Sequence, residues 1–415
     1  IASLSDLTRV FAWIGVLSFG GPAAQIALMH RELVDGRGWL DENTFLRALS
    51  FTMLLPGPEA MQLAAYAGWK MRGVPGGLIA GLLFVLPGAA VVLALSVAYA
   101  RFGTIPVVEA MFLGVKAAVV AIVVEALLKL ARRALNRTAH WIVAGLSFLG
   151  IFALGLPFPA LIAAAALWGA WAAGGRIDGD VPLPSPGGTG RTVAVWLTIW
   201  LAPIAALWAA GAELLSEIAF FFSKLAVVTF GGAYAVLAYM TQEVVVDRGW
   251  LDTAEMMDGL GLAETTPGPL ILVTQFVGFL TGYREAGMSL ALAAAAVTLW
   301  VTFVPCFLWI FAGAPYLDWV SARPRLTSAL AAITAAVVGV ILNLSLWFAA
   351  HVIFGRVGRA EFGPFRTIAP DPTSLDPLAL GLAISAAVAL LVLRWPLMRV
   401  LGIAALLGAG TAFLP

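Results

Sequence analysis

Charge is scarce in this chain. Asp, Glu, Lys and Arg together make up 11% of its 415 residues, whereas 61% of the residues are hydrophobic; an ordinary soluble domain has about 25% charged residues. No single soluble core of this size hides so much apolar surface, so the outer surface must face lipid. The formal net charge of +1 provides no global field that would attract nucleic acid. The composition therefore predicts an all-α, multi-pass membrane protein, and we expect it in the cell inner (plasma) membrane.

Cysteine and histidine are also rare. The lone cysteine, Cys306, has no partner for a disulfide or a thiolate metal site, and the three histidines are far apart. No glycine is directly followed by lysine, so a Walker A loop is absent, and neither GxSxG nor HExxH occurs. We expect no cofactor, no metal and no enzyme activity. An ion gradient or the substrate's own gradient would drive any transport.

Long apolar stretches dominate what the chain does contain. Crossing about 30 Å of hydrocarbon needs about 20 helical residues, and eight stretches are predicted to span: 76–100, 105–128, 138–156, 192–212, 286–312, 326–350, 377–393 and 396–414. A shorter stretch at 158–173 is a ninth candidate. Four more hydrophobic segments are interrupted by Gly and Pro: 7–30, 43–69, 215–241 and 254–283. We expect these four to form broken or re-entrant helices.

The two halves of the chain share an internal repeat. Residues 19–58 align without a gap on 230–269, an offset of 211 residues, with 17 identities in 40 positions. The identities concentrate in Gly, Pro and charged residues, which lipid-facing composition bias would not enrich. The segment 174–191 between the halves is rich in Gly and Pro and is typical of a linker. We predict a first transporter repeat at 1–173, a linker plus an extra span at 174–212, and a second repeat at 213–415.

Duplicated halves with broken helices at matching positions indicate a secondary transporter whose site lies at the repeat interface near the bilayer midplane. Two topologies remain open. If the interrupted segments cross singly, with the N-terminus inside, the halves are inverted. If the Pro-Gly-Pro segments are re-entrant, with the N-terminus outside, the halves are parallel. Counting the basic residues in the loops does not decide between them.

The first pair of breaks places two glycines inside apolar segments. These are Gly20 and Gly21, followed by Pro22, and in the second half Gly231 and Gly232. Unwound backbone at membrane depth is tolerated only where it is buried in protein or lines a polar cavity. A helix that restarts after such a break directs free N–H groups and its positive dipole end at the gap. We predict an anion site there.

The second pair of breaks is Pro-Gly-Pro, which cannot continue a helix through its centre. It consists of Pro56, Gly57 and Pro58 in the first half and of Pro267, Gly268 and Pro269 in the second. Nearby donors for an oxyanion are the hydroxyls of Thr265 and Thr266 and the amides of Gln62 and Gln275. The alternative is that all four breaks serve only close packing or a kink, as GxxxG does at Gly77–Gly81.

Charged residues within apolar segments are candidate functional groups because burying them in a membrane is costly. Lys116 could bind an anion or pair with Glu109, which lies on the same helix face. Lys224 could attract an oxyanion towards the nearby break, or it could be a snorkelling interfacial lysine. Glu59 and Glu264 flank the Pro-Gly-Pro breaks and could carry a coupled proton. Glu59 could instead favour the start of the following helix.

Each half also contains the sequence RGWLD, with its tryptophan as an expected interfacial anchor. Arg37 and Arg248 could act as a gate. The alternative, an Arg–Asp pair that holds a turn, is the interpretation we favour for both positions.

The motifs FGGP, ELVDGRGWLD and LPGPEAMQLAAYAG, with their second-half partners FGGAYAVLAYMTQEVVVDRGWLD and AETTPGPLILVTQFVGF, resemble the chromate ion transporter family. The likeness covers both halves, as in its long, two-domain members. The resemblance implies that the protein exports chromate from the cytoplasm, that the proton gradient drives this export, and that the two repeats are inverted. Several alternatives remain: exchange of sulfate or another oxyanion, a passive anion channel, and an embedded enzyme or scaffold subunit. A homodimer is left open.

Lys224 also lies on a family motif position, although its first-half counterpart is Trp13, so we expect an asymmetric site.

Overall fold

The computed structural model describes residues 2–174, 188–230, 233–321, 323–363 and 365–412. Gly231, Gly232 and most of the expected linker therefore lie outside the described residues. The α-helices are α1 (Leu4–Leu17), α2 (Gly21–His30), α3 (Glu42–Thr52), α4 (Glu59–Phe102), α5 (Pro106–Ala134), α6 (Thr138–Phe152), α7 (Phe158–Ala172), α8 (Thr189–Ala209), α9 (Glu213–Val228), α10 (Ala233–Thr241), α11 (Thr253–Thr265), α12 (Val273–Ala286), α13 (Met288–Gly313), α14 (Leu317–Ser321), α15 (Pro324–Ile353), α16 (Pro377–Ala387) and α17 (Leu397–Thr411).

Shorter elements fill the connections. Single π-helical turns lie at Arg31–Asp35, Gln242–Asp247 and Val388–Val392, and 3₁₀ turns at Leu270–Leu272, Ala314–Tyr316 and Pro372–Ser374. Strands β1 (Val357–Phe362) and β2 (Phe365–Pro370) pair as an antiparallel hairpin, with Val357 opposite Pro370. The chain is thus an all-α protein apart from this hairpin.

Long apolar helices confirm a multi-pass membrane protein. Within the described ranges, five helices are long and apolar enough to cross a bilayer: Glu59–Phe102, Pro106–Ala134, Thr189–Ala209, Met288–Tyr316 and Pro324–Ile353. Four further apolar helices, at Thr138–Phe152, Phe158–Ala172, Pro377–Val392 and Leu397–Thr411, are shorter. A 15-residue helix reaches only about 22 Å. The stretches expected as full spans at 138–156, 377–393 and 396–414 therefore form shorter helices.

Three of the four interrupted segments consist of two helices joined at the predicted break, and the fourth has a helix on either side of it. α1 and α2 meet at the Gly-Gly break, α3 and α4 at the first Pro-Gly-Pro, and α11 and α12 at the second, while α9 and α10 flank residues 231–232. The joining glycines adopt φ angles that L-residues avoid, such as 86° at Gly20, 116° at Gly57 and 88° at Gly268. The prediction of broken helices is confirmed.

Two glycines also turn the chain sharply back on itself. Within α4, Gly73 has φ 63° and ψ −155°, and between α12 and α13, Gly287 has φ 77° and ψ −159°. Eight residues of continuous helix would extend about 12 Å. A Cβ on Gly282 would nevertheless lie 2.7 Å from the carbonyl oxygen of Leu290. Each half therefore contains a tight helical hairpin immediately after its Pro-Gly-Pro break.

The chain divides into two compact units, each assembled from both halves of the sequence. Unit 1 comprises Ile1–Val97, Gly175–Val236 and Leu262–Thr327, and its ranges include all four predicted breaks. Helix α13 packs there against α8, α9 and α12. A Cβ on Gly81 would meet the ring of Phe307 at 2.6 Å, so this GxxxG glycine serves close helix packing.

Unit 2 comprises Ala98–Gly174, Leu237–Gly261 and Ser328–Pro415. In unit 2, α5 packs against α16 and α17. Gly114 and Gly408 sit directly against backbone of the opposing helix, where a Cβ would overlap a carbonyl oxygen. Such small-residue contacts let membrane helices approach closely without a hydrophobic driving force.

Candidate functional site

Two backbone hydrogen bonds in unit 1 connect the breaks of one half to those of the other. The N–H of Gly57 donates to the carbonyl oxygen of Thr229 at 2.8 Å, and the N–H of Gly268 donates to the carbonyl oxygen of Ser18 at 2.9 Å. Residues 18 and 229 are 211 positions apart, as are residues 57 and 268. The two bonds are therefore the same contact made twice: the glycine of each Pro-Gly-Pro break donates to the residue two positions before the Gly-Gly pair of the other half.

We call the two contacts, Gly57 with Thr229 and Gly268 with Ser18, the crossings. Glycine is required at the crossings for two reasons. Gly57 has a φ of 116°, and a Cβ there would lie 2.8 Å from Nε2 of Gln62 and 3.0 Å from Sγ of Cys306. Gly88 of α4 faces the second Pro-Gly-Pro so closely that a Cβ would overlap the carbonyl oxygen of Pro267. The sequence thus permits backbone-to-backbone approach at both breaks.

Gln25, which sequence analysis missed, connects both halves at the second break. Its side chain is 1% exposed, and its Nε2 donates to the carbonyl oxygens of Ser18 at 3.0 Å and Gly268 at 2.7 Å. The available signal was a glutamine one turn into the helix that follows Gly-Gly in an otherwise apolar segment. The equivalent second-half residue is Val236, so this polar contact is not duplicated.

The glutamine and threonine side chains expected as anion donors donate hydrogen bonds to carbonyl oxygens of the protein. Nε2 of Gln62 donates to the carbonyl oxygen of Pro56, and Nε2 of Gln275 donates to that of Ala89. The hydroxyls of Thr265 and Thr266 donate to carbonyl oxygens three residues earlier. Each hydroxyl thus donates its one proton within the protein, and each glutamine NH₂ has one of its two N–H groups engaged in the same way.

Three buried oxygens remain without a donor. Among the described residues, nothing donates to Oε1 of Gln25, Gln62 or Gln275. The amide orientations follow from their partners, because a carbonyl oxygen can accept only from the NH₂ end of the amide. Buried acceptors of this kind are usually met by ordered water. The interior at the breaks is therefore polar, as unwound membrane backbone requires.

Backbone N–H groups without a described acceptor lie at the start of α2. Gly20 is the N-cap residue of α2, with Pro22 in the first turn. The N–H groups of Gly20 and Gly21 donate to no described residue, as expected for a helix start, where the first four lack intrahelical partners. The positive dipole end of α2 adds to their attraction for an anion. The equivalent Gly231 and Gly232 lie outside the described residues.

Two carboxyl groups lie beside the Pro-Gly-Pro breaks of unit 1. Glu264 is 6% exposed, and its Oε1 accepts a hydrogen bond from the hydroxyl of Tyr234 at 2.8 Å. Glu59 is half-buried in the first turn of α4, where a negative charge favours the helix start. Lys224 is exposed on α9.

The two RGWLD loops have matching side-chain contacts. Arg37 forms an ion pair with Glu32, and Arg248 pairs with Glu243 at 3.6 Å. Each guanidinium also lies over the tryptophan two residues later, at 5.7 Å in the first loop and 5.0 Å in the second. The partner shown for each arginine is thus the glutamate five residues earlier, whereas an aspartate was expected.

The loop aspartates begin the next helices instead. Oδ1 of Asp41 accepts from the N–H of Thr44 at 2.8 Å, and Oδ1 of Asp252 accepts from the N–H of Glu255 at 2.8 Å. Both are N-caps. The hydrogen bonds from Thr44 lower the pKa of Asp41 because they stabilise its ionised form.

Lys116 has a partner in unit 2 that the sequence did not reveal. Its Nζ lies 3.3 Å from Oδ1 of Asp258, whose Oδ2 accepts a hydrogen bond from the hydroxyl of Tyr99 at 2.8 Å. Glu109, considered as the partner of Lys116, is instead exposed. Asp258 was missed because its partners lie 142 and 159 residues away in the sequence.

Comparison with known proteins gives consistent results. A family model described as chromate transporter matches residues 5–170 and 216–409. A probable chromate transport protein of Synechococcus elongatus is 31% identical over 374 residues, covering 85% of both chains. The chromate transport protein of Cupriavidus metallidurans is 31% identical, covering 82% of this chain and 81% of that one. That of Pseudomonas aeruginosa is 32% identical, covering 82% and 79%. No solved structure matches.

Proposed function

The chain belongs to the chromate transporter family, and from that premise we propose that it exports chromate from the cytoplasm by alternating access. The proton gradient drives export across the cell inner (plasma) membrane. The three relatives are named as chromate transport proteins, and their names support transport in preference to an enzymatic activity.

One observation carries the site proposal: the paired backbone hydrogen bonds that close each Pro-Gly-Pro break on the opposite Gly-Gly break. A tetrahedral dianion binds where these breaks meet, at the interface of two inverted repeats near the bilayer midplane. Backbone N–H groups at the start of α2 bind it without a fully buried positive charge. The lining residues proposed are Gly20, Gly21, Pro22, Pro56, Gly57, Pro58, Gln62, Gly231, Gly232, Thr265, Thr266, Pro267, Gly268, Pro269 and Gln275. Lys224, at the surface of α9, recruits the anion.

Coupling is assigned to the carboxyl groups next to these breaks. A proton on Glu264 or Glu59 changes the local charge by one unit, so proton binding and anion binding there are thermodynamically linked. Glu264 is the stronger candidate because it is buried and held by Tyr234. Intramembrane carboxyl groups of this kind commonly form proton relays in transporters.

Everted membrane vesicles and radiolabelled chromate test this function. Energised vesicles that contain the protein are expected to accumulate chromate, and a protonophore is expected to abolish the accumulation. Gly20→Leu should abolish it too, whereas Gly402→Leu, at an exposed glycine with open space around it, is the matched control. Accumulation that is indifferent to the protonophore would reject proton coupling. Unitary conductance in electrical recordings would instead indicate a passive channel.

Sulfate is the second candidate substrate. Backbone N–H donors recognise the charge and tetrahedral shape that chromate and sulfate share, and hydrogen bonds that both anions can make discriminate poorly between them. We expect sulfate to compete for uptake in the same vesicles, and phosphate and molybdate serve as comparison anions. A lack of competition by sulfate would mean that the site recognises more than charge and shape.

A further inference from the structure

Unit 2 contains a buried charged cluster that the proposed substrate site does not use. Asp258 of α11 has 7% of its side chain exposed and Lys116 of α5 has 19%. Tyr99, near the end of α4, completes the cluster through its hydrogen bond to Asp258. Lys116 lies in the interior of an apolar helix long enough to cross a membrane. Ionisable groups in such segments are costly and mark functional sites.

The two carboxylate oxygens of Asp258 differ in their surroundings. Oδ2 accepts the hydrogen bond from Tyr99. Oδ1 accepts no hydrogen bond from the described part of the chain, and its contact is the ion pair with Nζ of Lys116 at 3.3 Å. Charge-assisted hydrogen bonds usually measure about 2.7–2.9 Å. Lys116 is thus the one described partner of Oδ1, and a carboxylate oxygen with a single partner can accept a proton.

The equivalent first-half position argues against a purely structural pair. Asp258 lies 211 residues after Arg47, which carries the opposite charge and is exposed. The backbone contacts at the breaks recur in both halves, but this acid occurs in one half only. Asp258 is thus not part of what the two halves share, and a buried ion pair is weak evidence for stability because desolvation offsets its attraction.

We propose that Asp258 is a second proton-binding site of the transport cycle, with Lys116 as the counter-ion that it releases. A proton from the aqueous phase binds Oδ1, the ion pair with Nζ is lost, and the lysine stays an ammonium ion. Tyr99 continues to donate to Oδ2, and proton release re-forms the pair. Asp252, the N-cap of α11, and Glu255 in its first turn are further ionisable groups close enough to influence this site. This role rests on the proposed proton-coupled function.

Transport assays on purified full-length protein in proteoliposomes distinguish a proton-binding role of Asp258 from a purely structural role. Labelled chromate is followed as uptake driven by a proton gradient, and as exchange against internal chromate without a gradient. Asp258→Asn should lose driven uptake and keep exchange. Because this variant leaves Lys116 unpaired, Lys116→Gln/Asp258→Asn serves as a second variant without an uncompensated charge. Glu109→Gln removes an exposed carboxylate from the same α5 and should retain both activities.

Infrared difference spectroscopy on the same protein gives a readout that does not depend on transport. One titratable carboxylic acid band of wild-type protein and of Glu109→Gln should be lost from both Asp258 variants, whereas bands from Glu264 and Glu59 should remain. The proposal is overturned if driven uptake survives in Asp258→Asn, if exchange and driven uptake fall together in the double variant, or if the band persists without Asp258. Wild-type protein without driven uptake would refute the proposed coupling instead, and the infrared band would still decide whether Asp258 binds a proton.

Discussion

Several positions 211 residues apart make matching contacts in the two halves, whereas others differ in side-chain charge or polarity. Ser18 and Thr229 accept equivalent backbone hydrogen bonds from opposite breaks. Arg37 and Arg248 make equivalent ion pairs. In contrast, the second half has an acid at Asp258, where the first half has a base. The backbone contacts at the breaks are therefore symmetric, whereas the charged side chains of the two halves are not.

Further unmatched positions occur around the breaks. Lys224 of the second half corresponds to Trp13, and Glu59 of the first half corresponds to Leu270. Gln25 corresponds to Val236, which cannot make its bridge. One asymmetric site agrees better with these differences than two equal sites. Changes to duplicated backbone positions should therefore act equally in the two halves, and changes to unmatched side chains should not.

The largest expected effect is at the two crossing glycines. Gly57→Ala and Gly268→Ala should each lower chromate transport about tenfold or more, because a left-handed conformation costs an L-residue about 1–2 kcal/mol and tenfold corresponds to about 1.4 kcal/mol. Crowding adds to this cost at both positions. Vesicle uptake normalised to expression measures the effect, with Gly402→Ala as control. A severe loss from one substitution and none from the other would refute equivalent crossings.

Gln25 comes next, and its effect should be confined to one half. Gln25→Leu leaves the carbonyl oxygens of Ser18 and Gly268 without this donor, at a cost of about 1–3 kcal/mol. We expect a lower melting temperature and weaker transport. Val236→Leu, a nonpolar change at the equivalent buried position, is the comparison. Equal losses from both variants would mean that packing, and not the bridge, matters at Gln25.

Lys224 should have a smaller effect, on substrate recruitment. Lys224→Gln is expected to raise the half-saturation concentration of chromate several-fold with little change in maximal rate, because an exposed charge acts mainly on encounter. The difference should shrink at high ionic strength, where exposed charges are screened. Measuring uptake at two salt concentrations checks this. A salt-independent loss of maximal rate would contradict recruitment.

The arginines of the RGWLD loops should have the smallest effect, and the same one in both halves. Arg37→Gln and Arg248→Gln each remove a partly exposed ion pair, worth about 0.2–1 kcal/mol. Thermal unfolding should shift slightly and transport should be nearly unchanged. Abolished transport at unchanged stability would instead establish these arginines as a gate.

The helix breaks were predictable because Gly-Gly and Pro-Gly-Pro restrict backbone conformation locally. The interruptions at Gly20 and Gly57 follow from those residues alone, and both are present. The joining of Gly57 to Thr229 and of Gly268 to Ser18 did not follow, because no local rule pairs segments so far apart in the sequence. Full spans expected from hydropathy at 138–156 and 396–414 became shorter helices, since apolarity does not fix where a helix ends.

Side-chain partners were the least predictable feature of the site. The amide of Gln62 was expected to donate to an anion, but it donates a hydrogen bond to the carbonyl oxygen of Pro56. Lys116 shares a helix face with Glu109, yet it turns to Asp258 of another helix. Such choices depend on tertiary packing, which decides which of several chemically suitable partners is within reach.

Anomalous diffraction from crystals containing chromate tests the central claim most directly, because chromium marks the anion without reference to any side chain. The predicted result is one chromium peak in unit 1, within hydrogen-bonding distance of the backbone N–H groups of Gly20 and Gly21 at the start of α2. A chromium peak bound instead to Lys116, or to the lipid-facing surface with the breaks unoccupied, would contradict an anion site at the crossed helix breaks.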